Sequence, residues 1–158
     1  MKSMVIYGSR HGNTERIAAS IAAGLRQYGQ VQLLEVGAAS AVIPDEIDLV
    51  VIGGPTEGHS ATPAVVAYVD RIGAGGLNGK RAATFDTRLR WPRWLSGSAA
   101  ADIAARLRLA GAELIGEPAS FFVAGKVPVL EAGEVERSEA WASALVGPAE
   151  TATSAGRS

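Results

Sequence analysis

The chain has no cysteine among its 158 residues, which removes disulfides, thiolate metal sites, iron–sulfur clusters and cysteine nucleophiles from consideration. It has two histidines, His11 and His59, too few for a multi-histidine metal site. Aromatic residues are scarce at 6%, and no apolar run approaches the ~20 residues of a membrane span. The start lacks a signal-peptide pattern, so a soluble, cytoplasmic protein is expected. Charge of one sign is also missing: 15 basic residues face 16 acidic ones. What is present is ordinary for a folded domain, with 47% hydrophobic and 20% charged residues, and the length suits one domain with a real core.

The charge balance is uneven along the chain. Residues 1–79 carry a net −2, residues 80–108 a net +5 and residues 113–150 a net −5. The positive segment reads either as a solvated helix face or as a loop near an anionic ligand or partner.

Apolar patterning divides the sequence into alternating units. Ser3–Tyr7 is a short apolar run ended by Gly8, as expected of a buried strand. Ile17, Ile21, Leu25 and Tyr28 form one helical stripe over residues 13–28, with Gly29 as a stop. Residues 31–36 and Leu49–Ile52 read as the second and third strands, the latter closed by glycines. A helix is expected from Thr62 to Ile72, with Pro63 suited to its first turn, and a fourth strand from Lys80 to Phe85. Ser98–Leu109 has helical period; residues 113–115 and 120–124 offer a fifth strand interrupted by Pro118; Glu134–Val146 closes as an amphipathic helix. A domain over residues 1–146 is expected, followed by a disordered tail, 147–158, of small and polar residues. Strands alternating with helices imply a parallel sheet covered on both faces, with ligands bound beyond the carboxyl ends of its strands.

The loop after the first strand, Gly-Ser-Arg-His-Gly-Asn-Thr (residues 8–14), suits an anion. Its backbone N–H groups sit at a helix amino end, where the dipole places about half a positive charge. The Ser9 and Thr14 hydroxyls and the Asn13 amide can donate to phosphate oxygens, and Gly12 permits close approach. It is neither the nucleotide P-loop nor the dinucleotide Gly-x-Gly-x-x-Gly fingerprint. An ordinary helix cap by Ser9 or Asn13 is the plain structural alternative.

Tyr7–Ile17 resembles the FMN-phosphate loop of the flavodoxins, whose pattern is hydroxyl-x-Thr-Gly-x-Thr at the same strand-to-helix turn. Ser9, Gly12, Asn13 and Thr14 match it, His11 replaces the central threonine, and Arg10 adds a charge that ordinary flavodoxins lack there. The resemblance runs from about residue 3 to Val146 and is to the short-chain, single-domain type. It implies an α/β three-layer sandwich, a five-stranded parallel sheet in order 2-1-3-4-5 with helices on both faces, and FMN as cofactor.

It also assigns roles to two further loops. Gly-Gly-Pro-Thr-Glu-Gly-His-Ser (residues 53–60) would flank the isoalloxazine, with Pro55, Thr56, Glu57 and Gly58 at the flavin edge and His59 over the ring, near the phosphate or merely exposed. A peptide at Gly58 able to flip would bond the singly reduced flavin at N5. Phe-Asp-Thr-Arg (residues 85–88) would bring Asp86, Thr87 and Arg88 to the flavin pocket. Trp91 or Trp94 is then a candidate aromatic wall, or a cover for a sheet edge over Pro92. Two tryptophans with three arginines also fit a nucleic-acid contact, but no larger basic surface accompanies them and nucleic acid is not expected as a partner.

With Arg88, Arg90 and Arg93 near the ring, the reduced flavin is expected to be less disfavoured than in acidic flavodoxins. One charge ~10 Å away is worth roughly 0.4–1.7 kcal/mol at effective dielectrics of about 80 to 20, or about 20–70 mV per electron. The favoured expectation is an FMN-binding electron carrier working between a flavin or iron–sulfur reductase and an acceptor enzyme. Alternatives are an FMN oxidoreductase of the same fold, of quinone reductase or protoporphyrinogen dehydrogenase type, and a flavodoxin-like binding module without FMN. The Ser-Arg-His-Gly-Asn-Thr loop resembles the protoporphyrinogen dehydrogenase branch, but no spare loop is long enough for a second substrate pocket.

Overall fold

The apolar run behind Met1 becomes a central strand. In the computed structural model, which describes residues 1–147, β1 (Lys2–Tyr7) leads into α1 (Asn13–Arg26) and then β2 (Gln30–Glu35). β3 (Leu49–Glu57), β4 (Ser60–Ala61) and α2 (Pro63–Ile72) follow, then β5 (Arg81–Leu89), the single turn α3 (Arg93–Ser96) and α4 (Ala99–Leu109). β6 (Glu113–Leu114), β7 (Ala119–Ala124), β8 (Val129–Leu130) and α5 (Glu134–Val146) complete the described chain. The tail expected after Gly147 lies outside the described residues.

Five long strands run parallel in the order β2-β1-β3-β5-β7, the expected arrangement. Three two-residue strands are additional: β4 pairs antiparallel with β3, β8 antiparallel with β7, and β6 parallel with β5. β6 and β7 are the two halves of the expected fifth strand, parted around Pro118 because proline cannot donate to the ladder.

Alternation sorts the apolar runs onto two faces. Met4, Ile6, Val50 and Ile52 pack with Val65, Tyr68, Ile103 and Leu107 of α2 and α4. Val5, Leu49, Val51 and Phe85 pack with Ile17, Ile21 and Leu25 of α1 and with Ala142 of α5. Both faces are dry, which explains why β1 and β3 read as continuous apolar runs.

Two strands continue where the sequence suggested an end. β3 passes through Gly53 because glycine is needed for packing there: a Cβ at Gly53 would stand 2.4 Å from the Phe85 ring. β5 continues through Asp86–Leu89, paired on both sides with β3 and β7. Among the described residues no helix is long and apolar enough to cross a membrane.

Candidate functional site

The loops beyond the carboxyl ends of β1, β3, β5 and β7 enclose a cleft of about 260 Å³. From the expected set it is lined by Arg10, His11, Asn13, Thr14, Pro55, Thr56, Glu57, Thr87 and Arg88. Leu89, Val123, Gly125, Lys126 and Pro128 complete the lining.

The first wall is the amino end of α1. Its N-cap is Gly12, in the left-handed conformation at φ 83°, and no side chain caps the helix. A Cβ at Gly12 would meet nothing within 4 Å, so the loop is open at this point. Ser9 stabilises the turn from within, its hydroxyl accepting the Gly12 N–H at 3.2 Å. Ser9 and Gly12 thus shape the loop without lining the cleft. Thr14 is buried and its hydroxyl lies 2.8 Å from that of Thr87, bridging the loop to β5. The Asn13 amide donates to the Pro128 carbonyl at 2.8 Å, so that group ties the first loop to the loop after β7. Arg10 pairs with Glu57, linking the first loop to the end of β3. At the end of β1, burial raises the pKa of the Tyr7 hydroxyl, and its hydrogen bond to Glu15 adds to the rise.

The second wall is the β3–β4 hairpin. Gly58 and His59 form its two-residue turn, both at positive φ (55° and 72°), and His59 is the one non-glycine residue of this kind among those described. Gly97 packs directly on the His59 backbone, where a Cβ would fall 2.0 Å from the carbonyl oxygen. The Thr56 hydroxyl accepts the Ala99 N–H at 2.9 Å, and the Ala61 N–H donates to Asp102 at 3.3 Å. The hairpin is therefore fastened to the start of α4. His59 is exposed, and neither it nor Gly58 lines the cleft.

The third wall departs most from expectation. Asp86 is fully buried, but it does not line the cleft. One carboxylate oxygen accepts the Ser98 hydroxyl at 2.7 Å and the Ala100 N–H at 3.0 Å, which anchors the amino end of α4. The other oxygen has no hydrogen bond and lies 3.9 Å from the Arg88 guanidinium. Adjacent strand residues face opposite ways, so Thr87 meets the cleft and Asp86 meets α4.

Arg88 donates to the Ser120 hydroxyl at 2.8 Å, the Trp91 carbonyl at 2.7 Å and the Ser96 hydroxyl at 3.0 Å. Burial lowers its pKa, and the Asp86 charge opposes that shift. Arg90 pairs with Glu131 and lies 4.1 Å from the Phe122 ring centre. Arg93 reaches the Pro118 carbonyl at 3.4 Å. The expected ring of free positive charge is thus largely consumed in bonds within the loop and in ion pairs. Trp91 and Trp94 stand exposed, and neither contributes a wall to the cleft.

Comparison with known proteins decides the family. Residues 4–113 match the flavodoxin domain model. The chain belongs to the flavodoxin family. A flavodoxin of Clostridium saccharobutylicum is 27% identical over 89 residues, 55% of this chain and 56% of that protein, so the match spans about half the relative's length. The oxidised Flavodoxin 2 of Bacillus cereus superposes with a TM-score of 0.75 at 27% identity, covering 92% of this chain and 97% of that one. Flavodoxin 1 of the same organism gives 0.78 at 23% identity, covering 94% and 99%. The flavodiiron protein of Giardia intestinalis matches in fold over 91% of this chain but 35% of its own, with a TM-score of 0.73 at 22% identity.

Flavodoxins carry FMN as cofactor and pass electrons between redox partners. Within this flavodoxin fold, the wall that sequence reasoning missed is the loop after β7, with Val123, Gly125, Lys126 and Pro128. A signal for it existed: Gly-Lys-Val-Pro (residues 125–128) directly follows the fifth strand, at the end where such sheets bind ligands. Its bond to Asn13, 115 positions away, carried no such signal.

Proposed function

We propose that this flavodoxin binds FMN in the cleft and acts as an electron carrier between a reductase and an acceptor protein, in the cytoplasm. The observation that carries this reading is the uncapped amino end of α1 beside the cleft, behind the open Gly12 turn. Such an end offers N–H donors and a positive dipole to a phosphate. Thr14 and Thr87 strengthen the fit: their two hydroxyls share one hydrogen bond, so a second O–H remains for a ligand oxygen.

The remaining lining suits a flat ring system. Pro55, Leu89, Val123 and Pro128 supply apolar surface, and Thr56 and Glu57 supply polar edges. When bound, FMN supplies reversible one- and two-electron chemistry. The protein's part is to hold the phosphate at the first loop, keep water from the ring with the apolar lining, and fix the ring's edge with the fastened hairpin.

The test is the visible spectrum of the purified protein, followed by FMN titration of any colourless fraction. Flavin absorption bands and saturable FMN binding are expected; a colourless protein that does not take up FMN ends this reading. Sustained oxidation of NAD(P)H with a quinone, without added reductase, would move the assignment from carrier to oxidoreductase.

A further inference from the structure

Five of the nine exposed large apolar side chains among the described residues stand on two neighbouring loops. Trp91, Trp94 and Leu95 follow β5, and Val127 and Val129 follow β7; Trp94 is 83% exposed and Val127 78%. The Arg90–Glu131 pair joins the two segments. Both also reach the cleft, through Arg88 and Leu89 from one and Lys126 from the other. These apolar groups therefore form part of the cleft's rim, where Trp and Arg are the residues that protein interfaces favour.

The four loops around the cleft contain Arg10, Arg88, Arg90, Arg93 and Lys126 against Glu57, Asp86 and Glu131, a net of +2 with histidines neutral. All three carboxylates lie beside arginines: Glu57 with Arg10, Asp86 with Arg88 and Glu131 with Arg90. Arg93 and Lys126 form no ion pair among the described residues. The nearby Glu117 precedes the carbonyl that Arg93 reaches, but is not ion-paired with it. The uncompensated charge on the rim is positive.

We propose that this rim docks a redox protein through an acidic face, with Trp94 and Val127 buried against it and Arg93 and Lys126 opposite its carboxylates. The proposal rests on the FMN reading, because a partner must stand at this rim to exchange electrons with the cleft. Complementary charge would steer the encounter and the apolar groups would hold it. Two uncompensated cations are too few for a polyphosphate strand or an anionic bilayer, each of which is bound by several basic groups.

Tryptophan emission of the full chain tests this with poly-L-glutamate as the acidic probe, beside poly-L-lysine and phosphatidylglycerol vesicles. A saturable change with poly-L-glutamate alone is expected, weakened about tenfold or more by about 1 M salt, where the Debye length is about 3 Å. Arg93→Glu with Lys126→Glu should weaken it to the same degree, and Trp94→Ala several-fold, with circular dichroism unchanged. No response to poly-L-glutamate, or tighter binding to vesicles, overturns the proposal. Self-association in sedimentation that Trp94→Ala abolishes would assign the rim to a second copy and overturn it too. Flavin absorption is read separately. A yellow protein without the response removes the docking proposal and leaves the carrier. A colourless protein that responds removes the FMN reading and leaves an acid-binding rim.

Discussion

The β1–α1 loop and the segment between β5 and α4 stand at the same end of one sheet, and they treat their polar groups in opposite ways. The first begins its helix on a glycine and leaves the amino end without a side-chain cap. The second satisfies its groups internally: Ser98 caps α4, Asp86 accepts two donors at its start, and Arg88 holds the loop to Trp91, Ser96 and Ser120. A helix end that must receive a ligand keeps its donors free, whereas a helix end that must hold a loop spends them. The charge rich enough to suggest a ligand site in the sequence is, for the most part, structural.

The sharpest way to break this comparison is Asp86→Ala. It leaves the Ser98 hydroxyl and the Ala100 N–H without their acceptor in a buried setting, and a loss of about 2–4 kcal/mol in urea unfolding is expected. An unchanged stability with a lost flavin site would reverse the roles given to the two regions. Thr14→Val acts on the other side. FMN affinity should fall about 10- to 100-fold, the worth of one hydrogen bond to a charged group, while riboflavin binding, followed by flavin fluorescence, stays nearly constant. Equal losses for both ligands would take Thr14 away from the phosphate.

Arg88→Met keeps the bulk of the side chain but releases its bonds to Trp91, Ser96 and Ser120. A cost of about 1–2 kcal/mol is expected in thermal unfolding. A gentler probe is pH. Arg137 holds the Glu134 carboxylate below its usual pKa of 4.5, helped by the Phe122 N–H and opposed by burial. A carboxylate with a depressed folded pKa stabilises the fold fully above its unfolded pKa and loses that contribution as pH falls through the folded one. Glu134→Gln should therefore flatten the acid limb of stability below about pH 4.5 and lower stability at neutral pH. The smallest effect is expected at the exposed Arg90–Glu131 pair. Removing both charges together should move the flavin potential by less than about 20 mV in spectroelectrochemical titration, because their fields at the ring largely cancel.

Much of the site was legible because it follows from strand order. Three polar, glycine-bearing loops after the first, third and fourth strands had to meet at one end of a parallel sheet, and Thr14, Thr56 and Thr87 do meet there. Asp86 was misplaced because Phe-Asp-Thr-Arg was read as a loop, and strand alternation separates it from Thr87. His59 could not be placed from sequence either, since its exposure depends on a two-residue turn packed against Gly97.

By itself the sequence determined the alternation of strands and helices, the family and the anion-ready first loop, because these depend on local periodicity and on short motifs whose geometry is local. The near balance of charge gave no guidance on which charges remain free. Arg90 finds Glu131 across 41 positions, Arg10 finds Glu57 across 47, and Asn13 finds Pro128 across 115. Those pairings exist only once the parallel crossovers have brought distant loops to one end of the sheet, so the tertiary structure decided which cations brace the cleft and which two, Arg93 and Lys126, stand unpaired at its rim.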